Sequence, residues 1–256
     1  MSEYLKTLLI ICPLVFTAGF VDAAAGGGGL ISLPAYLFAG VPVHTAAGTN
    51  KFAMSIGTTM ASVNYMRAGK VNYATAVWSM LGALCGAAAG SRAATLISDR
   101  YLTMLMLAVL PVVAVFIATR KELRSDAVQK KEMSRRRFAA TGLCIGLFAG
   151  MYDGLVGPGT GTFMILAFTG FLGLDLVTSS GCAKLSNLAS NIGSLTVFAL
   201  NGMVDLRLGI PAAGCTVLGA YAGSRLAITG GAKYIRLIIF FVLALLFVKF
   251  GYELLQ

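Results

Sequence analysis

Two aspartates and two lysines stand out as residues that could do chemistry, because they interrupt long apolar stretches of the chain. Of its ten acidic residues, only Asp22 and Asp153 lie well inside such stretches. A charged side chain inside a bilayer costs about 2.5–3.5 kcal/mol on insertion scales, so it is a functional candidate by default. Each carboxylate could carry a proton or gate a path. The alternatives are a structural carboxylate bonded to backbone amides, or one that faces bulk water.

The two lysines, Lys51 and Lys184, lie in the apolar stretches that follow the two aspartates. Two amines at related positions could neutralise one doubly charged anion or two singly charged oxygens. Equally, each could be a lysine that snorkels near a helix end. Asn50 precedes Lys51, and Asn187 and Asn191 are spaced by one helical turn on the same face as Lys184. These amides could donate hydrogen bonds to an oxyanion or join helices.

A glycine cluster follows each aspartate: Gly26-Gly27-Gly28-Gly29 in one place and Gly157-Pro158-Gly159-Thr160-Gly161 in the other. No strand precedes either cluster, so a nucleotide-binding loop is a poor interpretation. In a membrane, each cluster would end one helix and expose backbone amides. The half-helix that follows would point its positive N-terminus at an anion. A plain hinge or a packing contact is the alternative.

These features predict one anion site. Its candidate contacts are Gly27, Gly28, Gly29, Asn50, Lys51, Gly157, Gly159, Thr160, Lys184, Asn187 and Asn191, and Asp22 and Asp153 are the candidates for proton coupling or gating. The five cysteines are widely spaced, and His44 is the only histidine. We therefore expect no metal site, no cofactor and no catalytic triad. An intramembrane enzyme is disfavoured for the same reason.

The elements that hold these residues must lie in a bilayer. Of the 256 residues, 57% are hydrophobic and only 12% are charged, and the mean hydropathy is +0.83. A soluble domain carries roughly 25% charged residues, so soluble, secreted and disordered classes are excluded. The composition predicts an all-α, polytopic membrane helix bundle of about eight spans.

Four apolar segments precede a charged linker and four follow it, over residues 5–38, 46–66, 71–97 and 101–119, and then 138–172, 178–200, 206–228 and 234–254. The first segment of each half is too long for one straight span. A helix of about 34 residues would measure roughly 50 Å against a hydrocarbon core of about 30 Å. Each must therefore tilt, break or re-enter, and the glycine clusters lie where a break would fall.

The two halves repeat one another. Asp22 and Asp153 are 131 positions apart, and Lys51 and Lys184 are 133 apart. The same shifts relate many glycines, which predicts a first transmembrane repeat at 1–119, a basic linker at 120–137 and a second repeat at 138–256. Four full spans per half would make the repeats parallel and five would make them inverted. We favour eight spans with re-entrant elements, but the sequence barely decides.

The net charge of +10 is concentrated in the linker, where eight of the 20 lysines and arginines lie between Arg120 and Arg137. Such short basic loops stay on the cytoplasmic side, and they can contact anionic lipid. No aromatic side chains interleave the basic run, so nucleic acid is not an expected partner.

The sequence resembles the sulfite exporter TauE/SafE family of bacterial membrane permeases over nearly its whole length. The resemblance is carried by Gly19-Phe20-Val21-Asp22, Gly26-Gly27-Gly28-Gly29-Leu30, Gly48-Thr49-Asn50-Lys51, Tyr152-Asp153-Gly154, Gly157-Pro158-Gly159-Thr160-Gly161 and Ala183-Lys184-Leu185-Ser186-Asn187. It implies a multi-pass secondary transporter of the inner membrane, for sulfite, a sulfonate or a related sulfur compound. An anion channel is the alternative, and a homo-oligomer is a further expectation. The substrate, the direction of transport and the coupling ion stay open.

Overall fold

The computed structural model describes residues 3–105, 108 and 133–254. Its regular structure is α-helical throughout these ranges, which confirms the predicted all-α class. The helices are α1 (Glu3–Ala25), α2 (Gly29–Phe38), α3 (Val43–Arg67), α4 (Tyr73–Thr95), α5 (residues 99–105), α6 (Arg135–Leu155), α7 (Thr160–Leu172), α8 (Leu176–Leu200) and α9 (Leu206–Leu254). Helix α9 consists of two helical parts on either side of Gly231, which is not helical (φ 67°, ψ −161°).

Within the described ranges, three helices are long and apolar enough to cross a membrane: Tyr4–Ala25 of α1, then α4 and α6. Two shorter apolar helices, α2 and α7, accompany them. Helices α3 and α8 are equally long but carry many buried polar side chains. Polar groups are tolerated at membrane depth where protein covers them, and both helices pack against several others.

The two glycine clusters break their helices, as the sequence predicts. Helix α1 ends at Ala25 and α2 begins at Gly29, and the second break separates α6 from α7. Gly26, Gly157 and Gly159 have φ angles of 81°, 92° and 82°, in the left-handed region that glycine adopts without steric cost. With 10 and 13 residues, α2 and α7 are about 15 and 20 Å long, which is shorter than the hydrocarbon core of about 30 Å.

Helix directions follow from which residues meet. Along α1 and α9, Tyr4 donates to the carbonyl of Arg207, and Phe16 lies against Gly219. Residue numbers therefore rise together, and the two helices are parallel. Helix α3 is also parallel to α9, since the amide of Asp205 donates to Thr49 and, further along both helices, the side chain of Asn64 donates to Ser224.

In the other group, α4, α6 and α8 share one direction. Gly146 and Gly154 of α6 lie against Ser79 and Ala87 of α4, and Ser79 is hydrogen-bonded to Ser186 of α8. Helix α8 is parallel to α4 because Gly193 lies further along, against Leu84.

The two groups of helices run in opposite directions. Gly48 near the start of α3 meets Phe198 near the end of α8, and Tyr65 near the end of α3 meets Gly181 near the start of α8. Helix α1 therefore runs opposite to α6, its counterpart in the second half. We infer that the halves are inverted repeats, which goes with an odd number of spans in each half and not with the four per half that the sequence analysis favoured.

Equivalent glycines make equivalent contacts in the two halves. A Cβ atom on Gly86 would lie 2.1 Å from the carbonyl oxygen of Leu147, and one on Gly219 would lie 2.1 Å from that of Phe16. These glycines let α4 approach α6 and let α9 approach α1, as small residues do between membrane helices. The linker at 120–137 lies outside the described residues up to position 132, so the predicted repeat boundaries stay predictions.

Candidate binding site between the helix breaks

The two helix breaks touch each other. The amide of Thr162 donates to the carbonyl oxygen of Gly26 over 3.2 Å, and its hydroxyl donates to that of Ala25 over 2.8 Å. A Cβ atom on Gly26 would lie only 2.3 Å from the carbonyl carbon of Gly161. The two breaks therefore form one structure, at the contact between the two halves of the chain.

A cavity of about 40 Å³ lies at this contact, between the two breaks and helices α3 and α8. Since one water molecule needs a cavity of roughly 10–15 Å³, this cavity has room for a few waters. Nine of the predicted site residues line it: Asp22, Gly29, Asn50, Lys51, Asp153, Gly157, Thr160, Asn187 and Asn191. Gly29 and Thr160 are the first residues of α2 and α7, so the positive ends of both short helices reach the cavity.

Four predicted residues, Gly27, Gly28, Gly159 and Lys184, do not line the cavity. Gly28 packs against α1, where a Cβ atom would lie 2.5 Å from the carbonyl oxygen of Ala18. The sequence also missed part of the wall, namely Gly26, Leu33, Ala47, Met54, Gly154, Val156, Pro158, Gly161 and Phe198. Apolar residues such as Phe198 gave no signal, because nothing in their type distinguishes a cavity wall from a core.

The lysines and aspartates pair across the two halves. Lys51 Nζ lies 2.6 Å from Asp153 Oδ2, and Lys184 Nζ lies 2.8 Å from Asp22 Oδ2. Each pair joins a residue of the first half to one of the second. Charged groups inside a membrane pair with one another because an unpaired charge is costly there. Two acids and two bases at matched positions indicate that ion pairs form, but they do not indicate which lysine pairs with which aspartate.

The Lys51–Asp153 pair has further polar partners. Lys51 Nζ also donates to Asn191 Oδ1 over 3.3 Å, and the hydroxyl of Ser190 donates to Asp153 Oδ2. Asn191 in turn donates weakly to Thr58. Ser190 was not among the predicted site residues, since a serine in a helix carries no distinctive pattern.

The Lys184–Asp22 pair is enclosed. The Lys184 side chain has no exposed surface, and its amine also donates to the backbone carbonyl of Asp22 over 2.5 Å. That carbonyl lies in the last turn of α1, where a cation is favourable for the helix dipole. Lys184 therefore binds both the side chain and the backbone at the end of α1.

Two buried amides face the cavity without protein partners. Asn50 Oδ1 is buried and accepts no hydrogen bond from the described residues, and within the same ranges Asn187 makes no side-chain hydrogen bond either. More than 90% of buried polar groups in proteins have a partner. Unpartnered amides beside an amine are therefore consistent with a place for a polar guest.

No three His, Cys, Asp or Glu side chains come together in the part of the chain that the structure describes. The five cysteines are free thiols. Neither observation bears on the binding of an anion.

Fold and site together define a polytopic helical membrane protein, and similar proteins carry transporter names. A probable membrane transporter protein of Haemophilus influenzae is 34% identical over 250 residues, covering 96% of this chain and 95% of the relative. One from Sinorhizobium, ORF9, is 34% identical over 229 residues, covering 90% and 86%. The probable membrane transporter protein YfcA of Escherichia coli K12 is 30% identical over 259 aligned positions, covering 98% and 95%.

Residues 11–250 match the family described as sulfite exporter TauE/SafE, and the chain belongs to that family. The resemblance seen in the sequence motifs is thereby confirmed. No solved structure matches the chain.

Proposed function

We propose that the chain is a secondary transporter that moves a small anion, such as sulfite, a sulfonate or a related sulfur compound, across the bacterial inner membrane. The observation that carries the proposal is the cavity where two oppositely directed halves meet at their helix breaks. Transporters built from inverted repeats bind substrate at such an interface, between broken helices. The basic linker faces the cytoplasm, and a second copy of the chain is a candidate partner.

In this proposal, the anion binds beside Lys51, whose amine supplies the positive charge. The amides of Asn50 and Asn187 donate hydrogen bonds to its oxygens, and Asn191 orients the Lys51 amine. Gly29, Gly157 and Thr160 bring the positive ends of α2 and α7 to the cavity. Gly27, Gly28 and Gly159 shape the breaks, and Lys184 binds the end of α1 through Asp22. Asp22 and Asp153 are the two candidates for proton coupling or gating.

The cavity must open for an anion to enter or leave, because about 40 Å³ is room for only a few waters. The glycine-rich breaks are the natural hinges, since glycine tolerates large changes in φ and ψ. Opening first on one side and then on the other, with the site fixed at the breaks, is the alternating access of inverted-repeat transporters.

Flux into proteoliposomes tests the proposal. Sulfite, sulfate, thiosulfate, taurine and sulfoacetate are compared at fixed pH gradients. We expect at least one to enter with saturable kinetics and to show counterflow, because a carrier exposes its site to one side at a time. Flux that neither saturates nor shows counterflow would establish the channel alternative, and no flux of any of the five would contradict the transport of such anions.

Lys51→Met should abolish this flux while the purified protein remains folded, because the anion loses the one cationic side chain that lines the cavity in the described structure. Lys70→Met is the matched control, since Lys70 is exposed and outside the cavity, and it should transport as the unmodified protein does. Equal flux in both variants would show that Lys51 does not bind the substrate.

Asn50→Leu should raise the KM for the transported anion by about 10- to 100-fold, since a hydrogen bond to a charged group contributes roughly 1.5–3 kcal/mol. Folding should be preserved, because Asn50 Oδ1 has no protein partner to lose. Asn201→Leu, at the exposed end of α8, is the control. A KM that is unchanged by Asn50→Leu would remove this amide from the site.

A further inference from the structure

We propose that the two Lys–Asp pairs, although equivalent in the repeat, have different tasks. The Lys51–Asp153 pair opens in each transport cycle, when the anion takes the Lys51 amine and Asp153 takes up one proton. The Lys184–Asp22 pair stays closed and holds the end of α1. This assignment rests on the proposed transport of an anion, and it adds that one proton travels with each anion in the same direction.

The two lysines differ in their access to the cavity. Lys51 lines the cavity, and 8% of its side chain is exposed. Lys184 does not line the cavity, and its side chain has no exposed surface. An anion in the cavity can therefore reach the Lys51 amine, whereas Asp22 and the surrounding helices cover the Lys184 amine.

The two aspartates differ in the hydrogen-bond donors that remain when the lysine leaves. Asp153 retains the hydroxyl of Ser190, which donates to the same carboxylate oxygen. The residue equivalent to Ser190 in the first half is Gly57, 133 positions earlier, which has no side chain to donate. Among the described residues, Lys184 is the only hydrogen-bond donor to the Asp22 carboxylate. A second hydrogen-bond donor to the carboxylate is therefore present only at the pair that faces the cavity.

Anion binding also changes the balance of charge around Asp153. When the anion binds Lys51, an ionised Asp153 would be left as a second unpaired negative charge beside the anion, and uptake of one proton by its carboxylate removes that unpaired charge. The proton comes from water on the side where the anion enters and binds the Asp153 carboxylate. When the anion leaves on the other side, Lys51 and Asp153 pair again and the proton is released there.

No other ionisable group in the described structure competes for this proton. The ionisable side chains that line the cavity are Asp22, Lys51 and Asp153, and Asp22 is held by Lys184. From α4, Ser91 donates to the carbonyl of Gly154. The Tyr152 hydroxyl donates to the carbonyl of Pro158, away from the carboxylate.

The test measures proton entry together with anion entry. Proteoliposomes contain a pH-sensitive dye, and an inward gradient of sulfoacetate or thiosulfate is applied, since both anions keep their charge between pH 6 and 8. We expect the interior to acidify by one proton per anion. Anion entry without acidification would overturn the assignment while leaving the proposed transport intact, and no entry of either anion or of the other three would count against the proposed function itself.

Variants then identify the carboxylate. In the unmodified protein, the Kd for the anion in detergent should fall by about 10- to 100-fold from pH 8 to pH 6, because uptake of one proton changes affinity by at most about tenfold per pH unit. In Asp153→Asn the Kd should change by less than about twofold, and acidification should be lost. Asp99→Asn, an exposed control, should behave as the unmodified protein.

An Asp153→Asn protein that binds with the unmodified pH dependence would overturn the assignment. Should this variant fail to fold, Asp153→Glu keeps a titratable group and should keep the acidification. Ser190→Gly, which makes the second half match the first, should then strengthen anion binding at constant proton stoichiometry, because the ionised carboxylate loses a hydrogen-bond donor that the protonated acid does not need. Unchanged binding in Ser190→Gly would show that the second donor has no role.

Discussion

Alanine at Gly26 is expected to prevent assembly of a functional protein, whereas alanine at Gly40 should leave transport nearly unchanged. Both glycines have left-handed backbones, with φ angles of 81° and 78°, so both substitutions carry the same conformational cost of about 1–2 kcal/mol. The two positions differ in the room that they leave for a Cβ atom. A Cβ atom on Gly26 would lie 2.3 Å from the backbone of Gly161, but one on Gly40 would have nothing within 4 Å.

The comparison isolates the contact between the two breaks. Because the clash is with backbone, relief requires that the breaks separate, which would also remove the hydrogen bonds that Thr162 makes across them. Size-exclusion chromatography and melting in detergent report the fold, and anion flux reports the site. If the two alanine variants were equally stable and equally active, the breaks could not be in direct contact.

The helix breaks were predictable because their cause is local. A run of glycines inside a segment of about 34 residues cannot continue as one straight span, whatever surrounds it. The structure begins α2 at Gly29 and α7 at Thr160, within the clusters that the sequence indicated. Of the nine predicted residues that line the cavity, five lie in or next to these breaks, namely Asp22, Gly29, Asp153, Gly157 and Thr160.

The pairing of charges was not predictable from spacing alone. The sequence showed Asp22 and Lys51 as members of one repeat, which suggests that they act together. In the structure each pairs with a residue of the other half, because the halves run in opposite directions and interleave. Which residues pair depends on the direction of each helix. The sequence did not fix these directions, because the spans of each half could be counted as either four or five.

The difference between the two pairs could not be deduced from the repeat either, because the repeat treats them as equal. It arises from single positions where the halves have diverged, such as Ser190 opposite Gly57. Such positions carry no signal until the structure shows that Ser190 contacts Asp153.

Lys184→Met is expected to destabilise the protein far more than Lys51→Met. Removal of one partner from a buried ion pair costs about 3–5 kcal/mol, because the other charge is left unpaired. Asp22 would lose its lysine and, within the described structure, has no second donor. With a shift of roughly 2–4 °C per kcal/mol for chains of this size, the melting temperature in detergent should fall by about 10 °C.

Two further variants show whether the unpaired charge is the cause. Lys184→Met combined with Asp22→Asn removes both charges and should recover most of the lost melting temperature, since the buried carboxylate is gone. Lys51→Met should lower the melting temperature less, because Ser190 still donates to Asp153 and the cavity admits water. This order follows from enclosure: the lysine that the solvent cannot reach stabilises the fold, and the one that faces the cavity is available to the anion. Equal losses in the two single variants, with no recovery in the double variant, would contradict the distinction between the pairs.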